Sequence, residues 1–262
     1  MLKKPLKLFA LTISLLTLPV TAFALPITFK ANNGNRSASV DFNVVANQLI
    51  VKLANTSVND VLFRDEILST VFFDATGSGD FKFTPLSANL ADNSWVTNNG
   101  LTDPQPNGVG GEWGYISDIP SDKNVPGGAK QGIGSTGLGV FGPQDRFPGG
   151  NLDGPSSLNG ISYGLTGKYD NPQTMSGNQL IDPFVQNSIE FILGIPNGTN
   201  ITGISNVHFL YGTSILTENI LPGQPVIPIP IEPAAPVPEP ATFLILAACV
   251  AGFKAAKVKK LI

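Results

Sequence analysis

Ser37-Ala38-Ser39-Val40-Asp41-Phe42-Asn43-Val44-Val45 is the stretch of this sequence that decides the fold. Apolar residues occupy the even positions from 38 to 44, and polar residues occupy positions 39, 41 and 43. Because successive side chains of a β-strand point to opposite faces, this alternation predicts a strand with one buried and one solvated face.

Six further runs of this kind predict the rest of a β-rich domain, and they span residues 48–53, 71–73, 84–90, 161–165, 187–195 and 205–211. They are rich in β-branched or aromatic residues and are bounded by Gly, Pro, Asn and Asp, as is typical of strands. Asn-Gly dipeptides at positions 33, 99, 107, 159 and 197 predict turns, and only residues 64–69 suggest a helix. Repeated short strands with turn signals predict an all-β fold, a single β-sandwich or jelly-roll-like surface domain over residues 25–218.

Residues 98–170 interrupt this pattern with a Gly-rich loop excursion. Long loops inside a domain are usually functional or disordered. Hydrophobic residues interleave with the glycines, among them Trp113, Tyr115 and Phe141. We therefore expect an ordered excursion that packs on the sheets.

A Pro-rich segment follows the domain, with eight prolines between residues 221 and 240. Such a composition favours the extended polyproline II conformation. The sequence thus predicts a stiff linker over residues 219–236.

The N-terminal segment predicts export. Lys3, Lys4 and Lys7 form a positive region, and residues 8–20 form an apolar one. Ala22 and Ala24 then form an A-x-A cleavage site, so residues 1–24 predict a signal helix that secretion machinery and signal peptidase handle. The mature chain is expected to begin at Leu25.

The C-terminal segment has three parts in a fixed order, and it predicts a membrane helix with its basic end in the cytoplasm. A short Pro-rich motif, Val237-Pro238-Glu239-Pro240-Ala241-Thr242, precedes an apolar run over residues 243–253. Lysines close the chain at Lys254, Lys257, Lys259 and Lys260. The apolar run reaches membrane length only if the helix continues into the lysine segment, whose side chains extend to the headgroups. Positive residues stay in the cytoplasm, so the body is expected outside.

This segment resembles the PEP-CTERM sorting signal of bacteria, over residues 237–262. The resemblance implies that an exosortase, an integral-membrane enzyme, recognises Pro238, Glu239 and Pro240 and removes the terminal helix. The protein would then be exported, held transiently in the membrane, and delivered to the cell surface or the extracellular space.

Charge excludes one class of partner for the body. Residues 25–240 hold 9 basic and 19 acidic residues, a net charge of −10. Nucleic-acid binding requires a basic face, so we expect no nucleic-acid partner. The single cysteine, Cys249, lies in the apolar tail, so the body contains neither a disulfide nor a thiol nucleophile.

The body contains no recognisable catalytic set. Its single histidine, His208, lies in a strand pattern without a nucleophile motif, and one histidine without cysteine excludes the usual zinc and copper sites. Glu112 with Asp118 and Asp122 is the best candidate carboxylate cluster for glycan cleavage. Loop carboxylates also leave structural calcium open as the one candidate cofactor, with Asp118, Asp122, Asp145 and Asp153 as its ligands.

Aromatic residues offer a different site. Trp95, Trp113 and Tyr115 are candidates for a stacking platform, with Glu112 beside them, that would contact a glycan. The same tryptophans serve equally well as core residues. Both interpretations stay open at the level of sequence.

We therefore expect a non-enzymatic, exosortase-processed protein of the cell surface or biofilm matrix, with a structural or adhesive role and an association with exopolysaccharide. A carbohydrate-binding, lectin-like module is the first alternative. A glycan-cleaving enzyme is the second.

Overall fold

A computed structural model describes residues 27–97, 107–152, 154, 156–158, 160–175 and 182–226. Strands make up 49% of the structure, and the helices in the described part are short 3-10 turns, so the fold is all-β as predicted. The strands are β1 Ile27–Asn33, β2 Arg36–Val45, β3 Gln48–Asn55, β4 Leu68–Ser78, β5 Thr84–Thr97, β6 Gly114–Ile116, β7 Gln131–Gly134, β8 Leu165–Thr166, β9 Phe184–Gly194, β10 Asn200–Tyr211, β11 Ile220–Pro222 and β12 Gln224–Pro225.

Hydrogen bonds connect the strands in the order β11-β10-β4-β8-β9-β3-β2-β1-β12. β5 pairs with β9, and β7 joins β4 to β6. Every pair is antiparallel except β8 with β9. The two-residue β8 therefore links one run of strands, β5-β9-β3-β2-β1, to a second run, β11-β10-β4-β7-β6.

The side-chain alternation seen in the sequence sets which face of each strand is buried. In β2 the side chains of Ala38, Val40 and Phe42 are buried while their neighbours are partly exposed. The ring of Phe42 contacts that of Phe73 on β4, with 5.0 Å between centroids. Both runs of strands thus contribute to one hydrophobic core.

The Gly-rich excursion packs against the sheet, as predicted. Phe72 on β4 and Leu210 on β10 lie on the face away from the main core. They form a second apolar cluster with excursion residues Ile119, Val125, Ala129, Val140, Phe141 and Leu158. Because β4 is covered on both faces, its first six residues are all buried.

Several details of the secondary structure differ from the expectation. Residues 161–165 were expected to form a strand, but only Leu165–Thr166 pairs, because the chain turns at Tyr163, whose φ is +60°. The expected helix at residues 64–69 is one 3-10 turn, Arg64–Glu66, which ends where β4 begins. Three strands that the sequence pattern did not predict, β1, β6 and β7, complete the sheet.

The linker begins later than residue 219. β11 pairs with β10 and β12 pairs with β1, so the folded body extends to Val226. Leu221 is buried and fixes β11 against the core, while Pro222 and Pro225 lie in strands at the ends of the pairing order, where a missing N–H is tolerated.

The body has two distinct ends, defined by the directions of the strands. At the first, the terminal end, the N–H of Val226 donates to the carbonyl of Thr28 at 2.8 Å, so the first and last described segments lie side by side. β1 runs from there to the opposite end, which we call the loop end and define as residues 34–36, 56–66, 167–171 and 212–219. The seven residues of β1 place the two ends about 20 Å apart.

The predicted signal peptide 1–24, most of the linker and the segment 237–262 lie outside the described residues. Within the described part, no helix is long and apolar enough to cross a membrane.

We predict that Gly111→Ala destabilises the body, since an added Cβ would collide with the carbonyl oxygen of Gly150. Overpacking of this kind costs about 1–3 kcal/mol. Gly194→Ala is the matched control, because its Cβ would meet Leu86 Cδ1 at 3.4 Å, an ordinary contact. Urea unfolding of both variants measures the difference, and equal midpoints would show that the excursion does not pack here.

Candidate functional site

The sequence-predicted sites divide into those outside the described residues and those within them. The cleavage residues Ala22, Ala24 and Leu25, the motif over residues 237–242, and the terminal lysines at positions 254, 257, 259 and 260 lie outside. The residues predicted in the excursion lie within and can be placed.

Trp113 and Tyr115 lie in the interior and form no exposed platform. Trp113 has no exposed surface, its ring centroid is 5.1 Å from that of Phe191, and its indole N–H donates to the carbonyl of Tyr163 at 3.2 Å. Tyr115 is buried beside Phe83, and burial raises the pKa of its phenol far above the ordinary value. A ring without exposed surface cannot stack on a sugar, so the predicted glycan contact at these residues is wrong. The alternative interpretation, that Trp113 anchors the excursion to the core, describes the structure.

The predicted carboxylate cluster is not assembled. Glu112 is buried and accepts a hydrogen bond from the N–H of Leu152. Asp118 is exposed and pairs with Lys82 at 3.0 Å, and Asp122 is exposed on a separate 3-10 turn. Glu112 therefore faces the interior while the two aspartates face solvent, which does not fit a shared cleft for glycan cleavage.

The candidate calcium ligands are also engaged separately. Asp145 accepts the N–H of Gly142 within its own turn, and Asp153 lies outside the described residues. Among the residues that the structure describes, no group of three or more His, Cys, Asp or Glu side chains is placed to hold a metal ion.

His208 is half-buried on β10, and its Nδ1 lies 3.1 Å from the carbonyl oxygen of Asn206. It sits next to a register shift where β10 meets the excursion, since the side-chain amide of Asn206 donates to Asp74 at 2.9 Å and to the carbonyl of Gly127 at 3.1 Å. The arrangement is that of a strand histidine at a packing contact.

Exposed apolar side chains concentrate at the loop end. Of the nine large hydrophobic residues exposed in the described part, five are there: Val58, Leu62, Phe63, Tyr169 and Leu216. Tyr169 is 74% exposed and Phe63 is 54% exposed. Sequence analysis missed both rings, because they follow no strand period and lie in turns beside charged residues. A signal was nevertheless present in Lys168-Tyr169-Asp170-Asn171, an aromatic residue within a polar turn.

Hydrogen bonds hold the segment 56–66 in a fixed conformation. The carboxylate of Glu66 accepts the N–H groups of Leu62 at 2.7 Å and Phe63 at 3.2 Å. The same carboxylate accepts the side-chain amide of Asn35 at 3.1 Å, and Asn35 in turn accepts that of Asn59 at 3.1 Å. The β1–β2 turn and the segment 56–66 are thereby one hydrogen-bonded unit.

A reciprocal pair of hydrogen bonds joins this unit to the turn that carries Tyr169. Asp170 accepts the N–H of Val61 at 2.7 Å, and Asp60 accepts the N–H of Asn171 at 3.0 Å. Lys168 places its ammonium nitrogen 5.4 Å from the centroid of the Tyr169 ring. Phe63 and Tyr169 are therefore presented by segments that support one another.

Asp170 is the titratable group that this arrangement perturbs. Burial raises the pKa of its carboxyl above the ordinary value, against the opposing effect of the Val61 N–H, and the nearby Asp60 and Glu66 charges raise it further. Ionisation of the Asp170 carboxyl near neutral pH is therefore unfavourable to the folded state.

The family model of the PEP-CTERM protein-sorting motif matches residues 236–260. This match confirms the sorting signal identified in the sequence and implies an exported protein that is directed to the cell surface as an exosortase target. Comparison with curated proteins and with solved structures finds no match to this chain. The family match covers the C-terminal region alone, so the role of the body is argued from its own geometry.

We predict that Trp113→Ala destabilises the body by about 3–5 kcal/mol, the usual cost of removing a buried large aromatic side chain. Trp95→Ala, which removes a ring that is 45% exposed on β5, is expected to cost less than about 1 kcal/mol. Chemical denaturation of the two variants tests this, and a similar loss in both would contradict the buried position of Trp113.

We predict a pH dependence from Asp170, whose pKa is higher in the folded than in the unfolded state. Above the folded-state pKa, the ionised carboxylate of Asp170 lowers the free energy of unfolding. This loss disappears as pH falls through the folded-state pKa toward the unfolded-state pKa, because the folded protein then binds the proton more readily than the unfolded chain. The side chain of the Asp170→Asn variant does not titrate. The stability of the wild type relative to this variant should therefore increase as pH is lowered from 7 to 4. Urea unfolding of both proteins across this range measures it, and a constant or falling difference would contradict the prediction.

Proposed function

We propose that this chain, which carries a PEP-CTERM sorting motif, is an exosortase-processed protein whose body acts outside the cell as a structural or adhesive component of the surface or extracellular matrix. The observation that carries the proposal is the sorting motif over residues 236–260. Both the predicted signal peptide and this motif require that the protein is exported. Transient anchoring by the apolar residues 243–253 belongs to the same proposal.

For the architecture we propose a β-sandwich of the jelly-roll kind. Its two layers would be the runs β5-β9-β3-β2-β1 and β11-β10-β4-β7-β6. The shared core supports this, since Phe42 of the first run contacts Phe73 of the second. Sandwiches of this kind expose loops at both ends while the sheets supply rigidity, which suits a surface protein.

We further propose that the body is not an enzyme and uses no cofactor. The proposal is supported by the separation of Glu112 from Asp118 and Asp122, and by the ion pair that joins Asp118 to Lys82. Association with exopolysaccharide in a biofilm matrix is the form of adhesion that we propose.

The sorting proposal predicts that the P-E-P motif is required for release. Replacement of Pro238, Glu239 and Pro240 by alanine should leave the full-length chain in the membrane fraction of cells that contain the exosortase. Pro230→Ala, outside the matched residues, is the control and should be processed normally. Intact mass and cell fractionation give the readout, because loss of the C-terminal helix lowers the mass and moves the protein outside the membrane.

Either of two results would contradict the proposal. One is normal release of the motif variant. The other is a wild-type protein with its full C-terminal segment in the membrane, both with and without the exosortase.

A further inference from the structure

The first and last described segments meet at the terminal end, where the N–H of Val226 donates to the carbonyl of Thr28. The loop end lies at the opposite end of β1. The inference that follows rests on the proposed function only for the location of the body outside the cell.

The loop end also holds five of the nine large hydrophobic residues that are exposed in the described part of the chain. Phe63 and Tyr169 each expose more than half of their surface, and Val58 is 81% exposed. Large exposed apolar groups in a soluble domain mark surfaces that contact a partner when they cluster. These residues lie on neighbouring segments that reciprocal hydrogen bonds join at the loop end.

Rigidity favours binding at this surface. Binding that must first order a loop loses free energy, and a surface already held in place avoids that loss. Glu66, Asp60 and Asp170 fix the two segments through backbone N–H groups, and the Arg36–Asp65 ion pair at 2.7 Å adds a further tie. The two rings are thus presented without the need for rearrangement.

The charge of the loop end decides between partners. It holds five acidic and three basic residues, a formal charge of −2. A polyanion and a second copy of the same surface would both be repelled. Its apolar residues also lie next to charged ones along the chain, as in Phe63-Arg64-Asp65 and Lys168-Tyr169-Asp170, whereas the centre of a protein–protein interface is depleted of charge.

A neutral polysaccharide fits these constraints. The apolar face of a sugar ring packs on an aromatic face, and its hydroxyl groups need polar partners. Among the described residues, Asp60 uses one carboxylate oxygen for the N–H of Asn171, which leaves the other to accept from a hydroxyl. Asn59, exposed beside it, has one amide hydrogen committed to Asn35 and can donate the other.

We propose that the loop end is a binding site for a neutral polysaccharide, in which Tyr169 and Phe63 stack on sugar rings while Asp60 and Asn59 bind their hydroxyl groups. Recognition is by an outward-facing surface and not by a cleft. It requires residues of the loop end alone.

Affinity electrophoresis tests the proposal, with the full chain purified in mild detergent from cells that lack the exosortase. Gels contain dextran, galactomannan or mixed-linkage β-glucan as neutral probes, and alginate as the anionic one. At least one neutral polysaccharide should retard the protein, and alginate should not. Tyr169→Ala and Phe63→Ala should each weaken binding by about tenfold, the loss expected for one stacking ring.

Two further variants separate stacking from general surface effects. Tyr169→Phe keeps the ring and should bind within about twofold of the wild type, since the face of the ring makes the contact. Trp95→Ala removes an exposed ring outside the loop end and should leave binding unchanged. All these side chains are exposed, and thermal unfolding confirms that each variant is folded.

The proposal is overturned if none of the neutral probes retards the protein, if alginate retards it more strongly, or if the loop-end variants bind as well as the wild type. An equal loss in Trp95→Ala overturns it as well. Because the assay uses unprocessed protein, its outcome is independent of the release experiment, and the failure of one proposal is distinguishable from the failure of the other.

Discussion

The indole of Trp113 lies against Phe191, with 5.1 Å between the ring centroids, and the rest of the structure depends on this contact. Phe191 lies on β9, the strand that pairs with β3, β5 and β8, and Phe147 packs on it from the excursion at 5.2 Å. The long Gly-rich segment is therefore fixed over the core at β9, the strand that has three pairing partners. Glycine at positions 110 and 111 lets two segments of the excursion approach one another closely, because a Cβ there would collide with the carbonyl oxygens of Pro148 and Gly150.

This anchoring has a functional consequence. The residues that look most like a binding motif in the sequence, Glu112, Trp113 and Tyr115, are used to hold the excursion in place. Burial of their side chains removes them from contact with any external ligand. Two exposed rings, those of Phe63 and Tyr169, lie instead in the short polar turns at the loop end, where hydrogen bonds to carboxylates fix the backbone beside the buried Val61.

Much of the fold was predictable from local pattern. Alternation in residues 37–45 and 48–53 predicted β2 and β3 closely, because a half-buried antiparallel strand imposes a period of two on its own sequence. β1 was missed because it carries three asparagine and lysine residues near its end, and β6 and β7 because three or four residues are too few to show a period. β11 and β12 were assigned to the linker because their prolines suggest polyproline II, although strands at the ends of the pairing order tolerate them.

The sequence by itself determined the all-β class, the sorting motif, and the acidic balance and lack of cysteine of the body. Each of these properties depends on consecutive residues or on composition alone. Only the tertiary structure decided which aromatic residues face solvent. Trp113 and Tyr169 stand in similar Gly-containing, polar surroundings along the chain, yet one is buried and the other is 74% exposed. The difference arises because burial depends on which distant strand, here β9, lies beneath a loop. No local sequence pattern specifies that strand.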